Sequence, residues 1–368
     1  MPSDLDLHGG AYWPEREDLS SEFSRLLGAA QEGGAMVAEC CLTASCIDVA
    51  DDVSWFRAWK NLADVNCNRG NVALSRGHRL TARSNWLRAI NYYQAAAFPF
   101  DREDEKYREA IARMRECAGD YLRHRNLPGE TVRIAWTGGH PLEGYFLPAT
   151  AAPRRAPAII CVGEPGQRKE EYLHKVARHA AERGMALLAV DLFGAGEDTE
   201  FGDAMIRPDL ETAIGCIMDH VAEREDVDPH RIAVLADSWS SSFVARGLAF
   251  DDRFAAAVCD GGIWDLHERA FLRDRLAPPD PALVQRLPVS RAARNIKCPV
   301  LVTAGERGWL RAQRIREFAE ALKSEGRDVT LKIFTIDETA AAQGHADNPT
   351  LANEFIFDWV ASRLGICA

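Results

Sequence analysis

Ile232-Ala233-Val234-Leu235-Ala236-Asp237-Ser238-Trp239-Ser240-Ser241 is the stretch on which the fold turns. Its first half is a continuous apolar run, and its second half is small and polar and opens a helical pattern over 240–250. A short apolar run that stops at a serine and gives way to a helix predicts a buried strand followed by a tight turn. The same unit recurs on both sides. Residues 158–162 precede an amphipathic segment over 169–183, 186–190 precede one from about 208 to 224, and 299–303 precede one through Phe318 and Leu322. Residues 254–259 and 329–334 read as further strands, the second ahead of a last helix over 350–364. Apolar strands alternating with amphipathic helices predict an α/β fold, a mostly parallel sheet flanked by helices. Residues 131–136 and 142–147 read as two antiparallel strands at its front, joined by Gly138-Gly139-His140-Pro141.

The first 127 residues have another period. Trp55, Phe56, Trp59 and Leu62 recur at three- and four-residue steps, as do Trp86, Leu87, Ile90 and Tyr93, then Tyr107, Ile111, Met114 and Tyr121. These are helices. Leu127-Pro128-Gly129-Glu130 breaks the pattern and marks the boundary between a helical domain over 1–127 and an α/β domain over 128–368. The aromatic helix faces need a surface to bury against, which predicts that the helical domain caps the sheet. Residues 264–295 are longer than an ordinary connection and read as a lid insertion.

Composition narrows the function. The chain has 368 residues, 44 Lys+Arg and 55 Asp+Glu, for a net charge of −11. That acid excess excludes a nucleic-acid or anionic-membrane surface, which needs clustered Lys and Arg. No apolar run approaches the roughly 18 residues of a membrane span. Met1-Pro2-Ser3-Asp4-Leu5-Asp6 has neither the basic nor the apolar part of a secretory leader, so a cytoplasmic location is expected. The ten cysteines form no C-x-x-C pair and read as reduced, mostly buried thiols. His174 and His179 are five apart, the wrong spacing for two metal ligands on one helix face. No metal site and no cofactor are expected, and the partner is a small-molecule substrate.

Ligands of open α/β sheets bind beyond the carboxyl ends of the strands. Ser238 stands there, in a degenerate version of the G-x-S-x-G turn in which Ala236 and Ser240 replace the glycines. A helix-capping serine is the plainer alternative. Gly344-His345-Ala346-Asp347 follows the last strand, so the serine precedes the histidine as in α/β-hydrolases, and His345 would take the Ser238 proton. Gly163-Glu164-Pro165-Gly166 follows the strand over 158–162. The backbone N–H of Glu164, with that of Trp239, would form an oxyanion hole. Trp86 and Tyr93 read either as helix core or as substrate-binding residues, and Asp237 joins them as a substrate-binding candidate.

Residues 157–163, Lys169-Glu170-Glu171, Asp191-Leu192-Phe193-Gly194-Ala195-Gly196-Glu197, the Ser238 turn, Gly261-Gly262 and the helical front end resemble one group of α/β-hydrolases. That group is related to 2,6-dihydroxypseudooxynicotine hydrolase, the fungal heptaketide hydrolases and the fermentation/respiration-switch-like esterases. The resemblance covers about residues 50–365. It implies a Ser-acid-His hydrolase that cleaves a C–C bond beside a ketone, or an ester, in an aromatic or polyketide-like substrate. It also implies a capping helical domain and a homodimer. The family pattern expects an acid after the 299–303 strand, yet Gly305-Glu306-Arg307-Gly308 puts glycine in its place. Two carboxylates remain for the third triad member. Asp260, at the end of the neighbouring strand, is preferred over Glu306. The eroded motifs leave acyl transfer or cyclisation through the same serine, and a non-catalytic ligand-binding protein, as alternatives.

Overall fold

Asp51 and Asp104 each stand one residue before a helix and accept a backbone N–H two residues on, which fixes where those helices begin. The computed structural model describes residues 12–136, 141–149, 155–163, 168–191, 211–238, 240–265 and 289–366. Two compact units divide it. The first holds the chain up to Pro128 together with Leu173–Val176, and the second holds Gly129–Tyr172 and the chain from Ala177 onward.

The first unit contains α1 (Glu17–Gly28), α2 (Val37–Ala44), α3 (Asp52–Ser75), α4 (Arg79–Ala97) and α5 (Glu105–Arg123). The aromatic residues at helical spacing make its core: Trp55, Trp59, Trp86, Tyr92 and Tyr93 are fully buried. Several of their polar ends are paired, as burial requires. The Trp55 indole donates to the Ala95 carbonyl at 2.7 Å, that of Trp86 to Asn71 at 3.0 Å, and the Tyr93 hydroxyl to Asp64 at 2.5 Å. Gly70 sits mid-helix in α3 because a β-carbon there would stand 2.6 Å from the Trp86 indole nitrogen. Trp86 and Tyr93, named above as substrate-binding candidates, are both among these fully buried residues.

The second unit is built on an eight-stranded sheet: β1 (Glu130–Ile134), β2 (Leu142–Leu147), β3 (Ala156–Val162), β4 (Ala186–Asp191), β5 (Val227–Asp237), β6 (Ala256–Asp260), β7 (Val300–Gly305) and β8 (Val329–Phe334). Their spatial order is β1-β2-β4-β3-β5-β6-β7-β8, with β1/β2 and β2/β4 antiparallel and every other pair parallel. β3, β4, β6 and β7 are buried along their whole length, the pattern of strands covered on both faces. Between and after them in the chain run α6 (Tyr172–Lys175), which past Tyr172 belongs to the first unit, and α7 (Ala177–Glu182), α8 (Thr212–Ala222), α9 (Ser240–Leu248), α10 (Val289–Ala292), α11 (Ala312–Ser324) and α12 (Pro349–Arg363). The helix expected over 169–183 is thus two short pieces, and β5 begins five residues before the apolar run at Ile232. Among the described residues no helix is long and apolar enough to cross a membrane. Most of the 264–295 insertion lies outside the described residues.

Candidate active site

Ser238 follows the last residue of β5 directly, and its backbone is left-handed, φ 47°. Non-glycine residues avoid that region, at a cost of about 1–3 kcal/mol when they are forced into it. Four non-glycine residues among those described adopt it: Ser238, Thr339, Ala340 and His345. All four belong to the serine turn or to the loop that carries His345. Strain of this kind persists where the surroundings over-determine it, and here hydrogen bonds do so.

The serine turn is tied to the strands on either side. Ser240, in place of the motif's second glycine, shares its one hydroxyl hydrogen between the carbonyls of Val162 on β3 and Asp237 on β5, at 2.8 and 2.7 Å. Ser241 does the same toward Ala236 and Asp260, at 3.0 Å each. The glycine that close packing demands stands across the sheet. Gly261, just past β6, has φ 104°, and a β-carbon there would lie 2.9 Å from the Ser238 Cα. The turn therefore dispenses with glycine on its own strand because the neighbouring strand supplies one.

β5 and β6 are in register at their ends, with Asp237 opposite Asp260. Asp260 is 5% exposed and accepts from Thr303 on β7 at 3.0 Å. Its Oδ1 also meets His345 Nε2 at 2.8 Å. His345 is 2% exposed and packs edge-on against Phe334. The other ring nitrogen, Nδ1, lies 2.6 Å from the Ala340 carbonyl. Both nitrogens thus face acceptors, the arrangement that an imidazolium satisfies. Asp347 pins the same loop by accepting the N–H groups of Ala341 and Ala342, at 3.0 Å each.

The structure therefore joins Asp260 to His345. Glu306 stands apart from that pair: it is exposed and its carboxylate accepts the Ile336 N–H at 3.0 Å. Among the described residues, the Ser238 hydroxyl is bonded by Gln343, whose Nε2 donates to it at 3.3 Å, rather than by His345. Gln343 had no signal in the sequence beyond its place two residues before the histidine. Glu164 and Trp239 lie outside the described residues, as does the stretch from Leu192 to Glu197. Asp237 is 4% exposed and accepts from the Tyr172 hydroxyl at 2.6 Å, so its carboxylate faces inward at the base of the serine turn. Burial first, and Asp237 second, push the Tyr172 phenol well above its usual pKa.

Nearby, Asp191 at the end of β4 pairs with the buried Lys169 at 2.6 Å and also accepts the Lys169 N–H at 2.6 Å. Burial raises the Asp191 pKa, and the ammonium works against that rise. The motif residues Lys169 and Asp191 thus meet in a buried ion pair. Among the described residues no group of three or more His, Cys, Asp or Glu side chains could hold a metal ion.

The model of the FrsA-like esterase family matches residues 51–271. Hydrolyase poxO of Penicillium oxalicum is 28% identical over 274 residues, 71% of this chain and 64% of that protein. The 20-hydroxy-prefusarin hydrolase FUS2 of Gibberella moniliformis is 30% identical over 258 residues, 67% of this chain and 61% of that protein. The chain thus spans less than two thirds of the length of these relatives. Among solved structures, 2,6-dihydroxy-pseudo-oxynicotine hydrolase superposes with a TM-score of 0.72 at 21% identity, over 92% of this chain and 95% of that one. AbyA5 does so with a TM-score of 0.62 at 20% identity, over 95% and 99%. At such identities the likeness is one of fold.

Proposed function

Because this chain belongs to the FrsA-like esterase family and folds as an α/β-hydrolase, we propose that it is a serine hydrolase with Ser238 as nucleophile, His345 as base and Asp260 as the acid. Its substrate is a small aromatic or polyketide-like molecule with an ester or with a C–C bond beside a ketone. The observation that carries this reading is the left-handed backbone at both Ser238 and His345, with the His345–Asp260 contact at 2.8 Å. Strain held in place at two candidate reacting residues fits pre-organisation for catalysis.

In the first step His345, its Nδ1 proton released to solvent, receives the Ser238 proton as Oγ forms a bond to the substrate carbonyl carbon. For this, one ring nitrogen turns from its present acceptor to Ser238. The Ala340 carbonyl is the partner given up, since Asp260 stabilises the imidazolium that forms. The tetrahedral adduct expels the alcohol or carbanion fragment, which takes the proton from His345. Water then adds to the acyl-serine, gives its proton to the same imidazole and releases the acid, while Oγ recovers its hydrogen.

A fluorophosphonate probe tests the reading. Labelling at Ser238 in the wild type, absent in a folded Ser238→Ala variant, is the expected result. An unlabelled wild type, or turnover retained in Ser238→Ala, would refute it.

A further inference from the structure

Gln343 is half-buried, and its carboxamide joins two groups that the serine reading leaves unconnected. The Trp309 N–H donates to Oε1 at 2.9 Å, and Nε2 donates to Ser238 Oγ at 3.3 Å. The first bond decides the second. A backbone N–H can only donate, so the amide oxygen must face Trp309 and the amide nitrogen must face Ser238. Oγ is then the acceptor in that bond, and its own hydrogen points elsewhere. Gly308 provides the room: a β-carbon there would stand 3.1 Å from Gln343 Oε1. The carboxamide lines a small recess with Ser238, Asp260, Gly261 and Gly308.

We propose that Gln343 is a catalytic residue whose Nε2 donor holds the Ser238 hydroxyl with its proton turned toward the base and stabilises negative charge on Oγ. The inference rests on Ser238 being the nucleophile. Charge builds on Oγ twice. It does so as the proton leaves for His345, and again in deacylation, when the C–Oγ bond breaks and its electron pair stays on oxygen until His345 returns the proton. A donor fixed beforehand at that atom needs no reorganisation when the charge appears.

The test is the rate of fluorophosphonate labelling in the full chain, wild type against two variants. Gln343→Met keeps the length of the side chain and removes the donor. Gln343→Glu keeps its shape, lets an oxygen accept from Trp309, and turns an acceptor toward Oγ. Both should label roughly 10- to 100-fold more slowly than wild type, the range for a hydrogen bond to a charged group, with melting temperatures close to it. A side chain that merely fills space would leave Gln343→Glu unchanged. Labelling of both variants within about threefold of wild type would overturn the role of Gln343 and leave Ser238 as nucleophile. A wild type that does not label removes the serine reading and this inference with it.

Discussion

Asp260 and His345 lie 85 residues apart in the chain and meet at 2.8 Å, carboxylate to ring nitrogen. The meeting follows from register. β6 ends level with β5, so Asp260 stands opposite Asp237 and next to the serine turn. Thr303, opposite Asp260 on β7, donates to the same carboxylate oxygen that meets the ring. A buried carboxylate is costly unless it is paired, and here two donors share one oxygen.

If that carboxylate is the triad acid, Asp260→Asn should lower kcat/KM on a p-nitrophenyl ester by roughly 10³- to 10⁴-fold, the scale of the same loss in the serine-protease template. Glu306→Gln should stay within about threefold, since Glu306 is exposed and bonds a backbone N–H. The reverse ranking of the two variants would move the acid to Glu306.

Gly261 makes a second expectation concrete. Alanine there meets a left-handed φ of 104° and a Ser238 Cα at 2.9 Å. Gly261→Ala should cost about 1–3 kcal/mol of stability, as residues forced into such conformations do. It should also slow fluorophosphonate labelling, because the shift falls on the serine backbone. Gly326→Ala is the control: its φ is 80° but nothing lies within 4 Å of the added carbon. Equal labelling in the two variants would separate Gly261 from the serine turn.

Much of this was legible in the sequence for a physical reason. Strands covered on both faces are continuous apolar runs, and most of the strands begin or end within a few residues of such a run. Ser238 and Asp260 each follow one directly and His345 lies in the loop after another, at the carboxyl ends of the strands where α/β ligands bind. Other features depend on side chains meeting across long stretches of chain. Gly261 replaces a motif glycine only once β5 and β6 are side by side. Gln343 reaches Ser238 across 105 residues and leaves no periodicity behind. Trp86 and Tyr93 have the spacing of a helix face, which does not distinguish a core from a pocket.

The helical unit offers a pH-dependent expectation. The Cys67 thiol is lowered to about 7, first by a hydrogen bond from Cys117 and further by Arg113, against burial and the charges of Asp120 and Asp64. Arg113 and Asn71 also reach its sulfur, at 3.8 and 3.9 Å. A thiol that ionises earlier when folded than when unfolded binds fewer protons in the folded state between about pH 7 and 9. Its contribution to stability therefore rises across that window and is lost as pH falls through 7. Thermal melts of wild type and Cys67→Ser at pH 6, 7, 8 and 9 should diverge upward for the wild type. Parallel curves would mean that the thiol stays protonated.

The resemblance described above implies an acid at the position that Gly308 holds in this chain. Returning an aspartate to that position is the obvious way to rescue an enzyme that has lost the Asp260 carboxylate. The geometry argues against it. A β-carbon at Gly308 would stand 3.1 Å from both Gln343 Oε1 and the Gly305 carbonyl. The new carboxylate would thus compete with the carboxamide for the Trp309 N–H, which now holds Gln343 in place at 2.9 Å. It would also sit near a carbonyl oxygen, which repels it. Meanwhile the carboxamide put in place of the Asp260 carboxylate would still face the histidine, and a second carboxylate would have to reach past Gln343 to find the ring. Asp260→Asn/Gly308→Asp should therefore remain within about threefold of Asp260→Asn alone in kcat/KM. Adding Gln343→Ala clears the slot but removes the donor to Ser238, so that triple variant should be no faster. Recovery of tenfold or more in the double variant would show that the position after β7 still addresses His345, and that Asp260 is one of two working places for the acid.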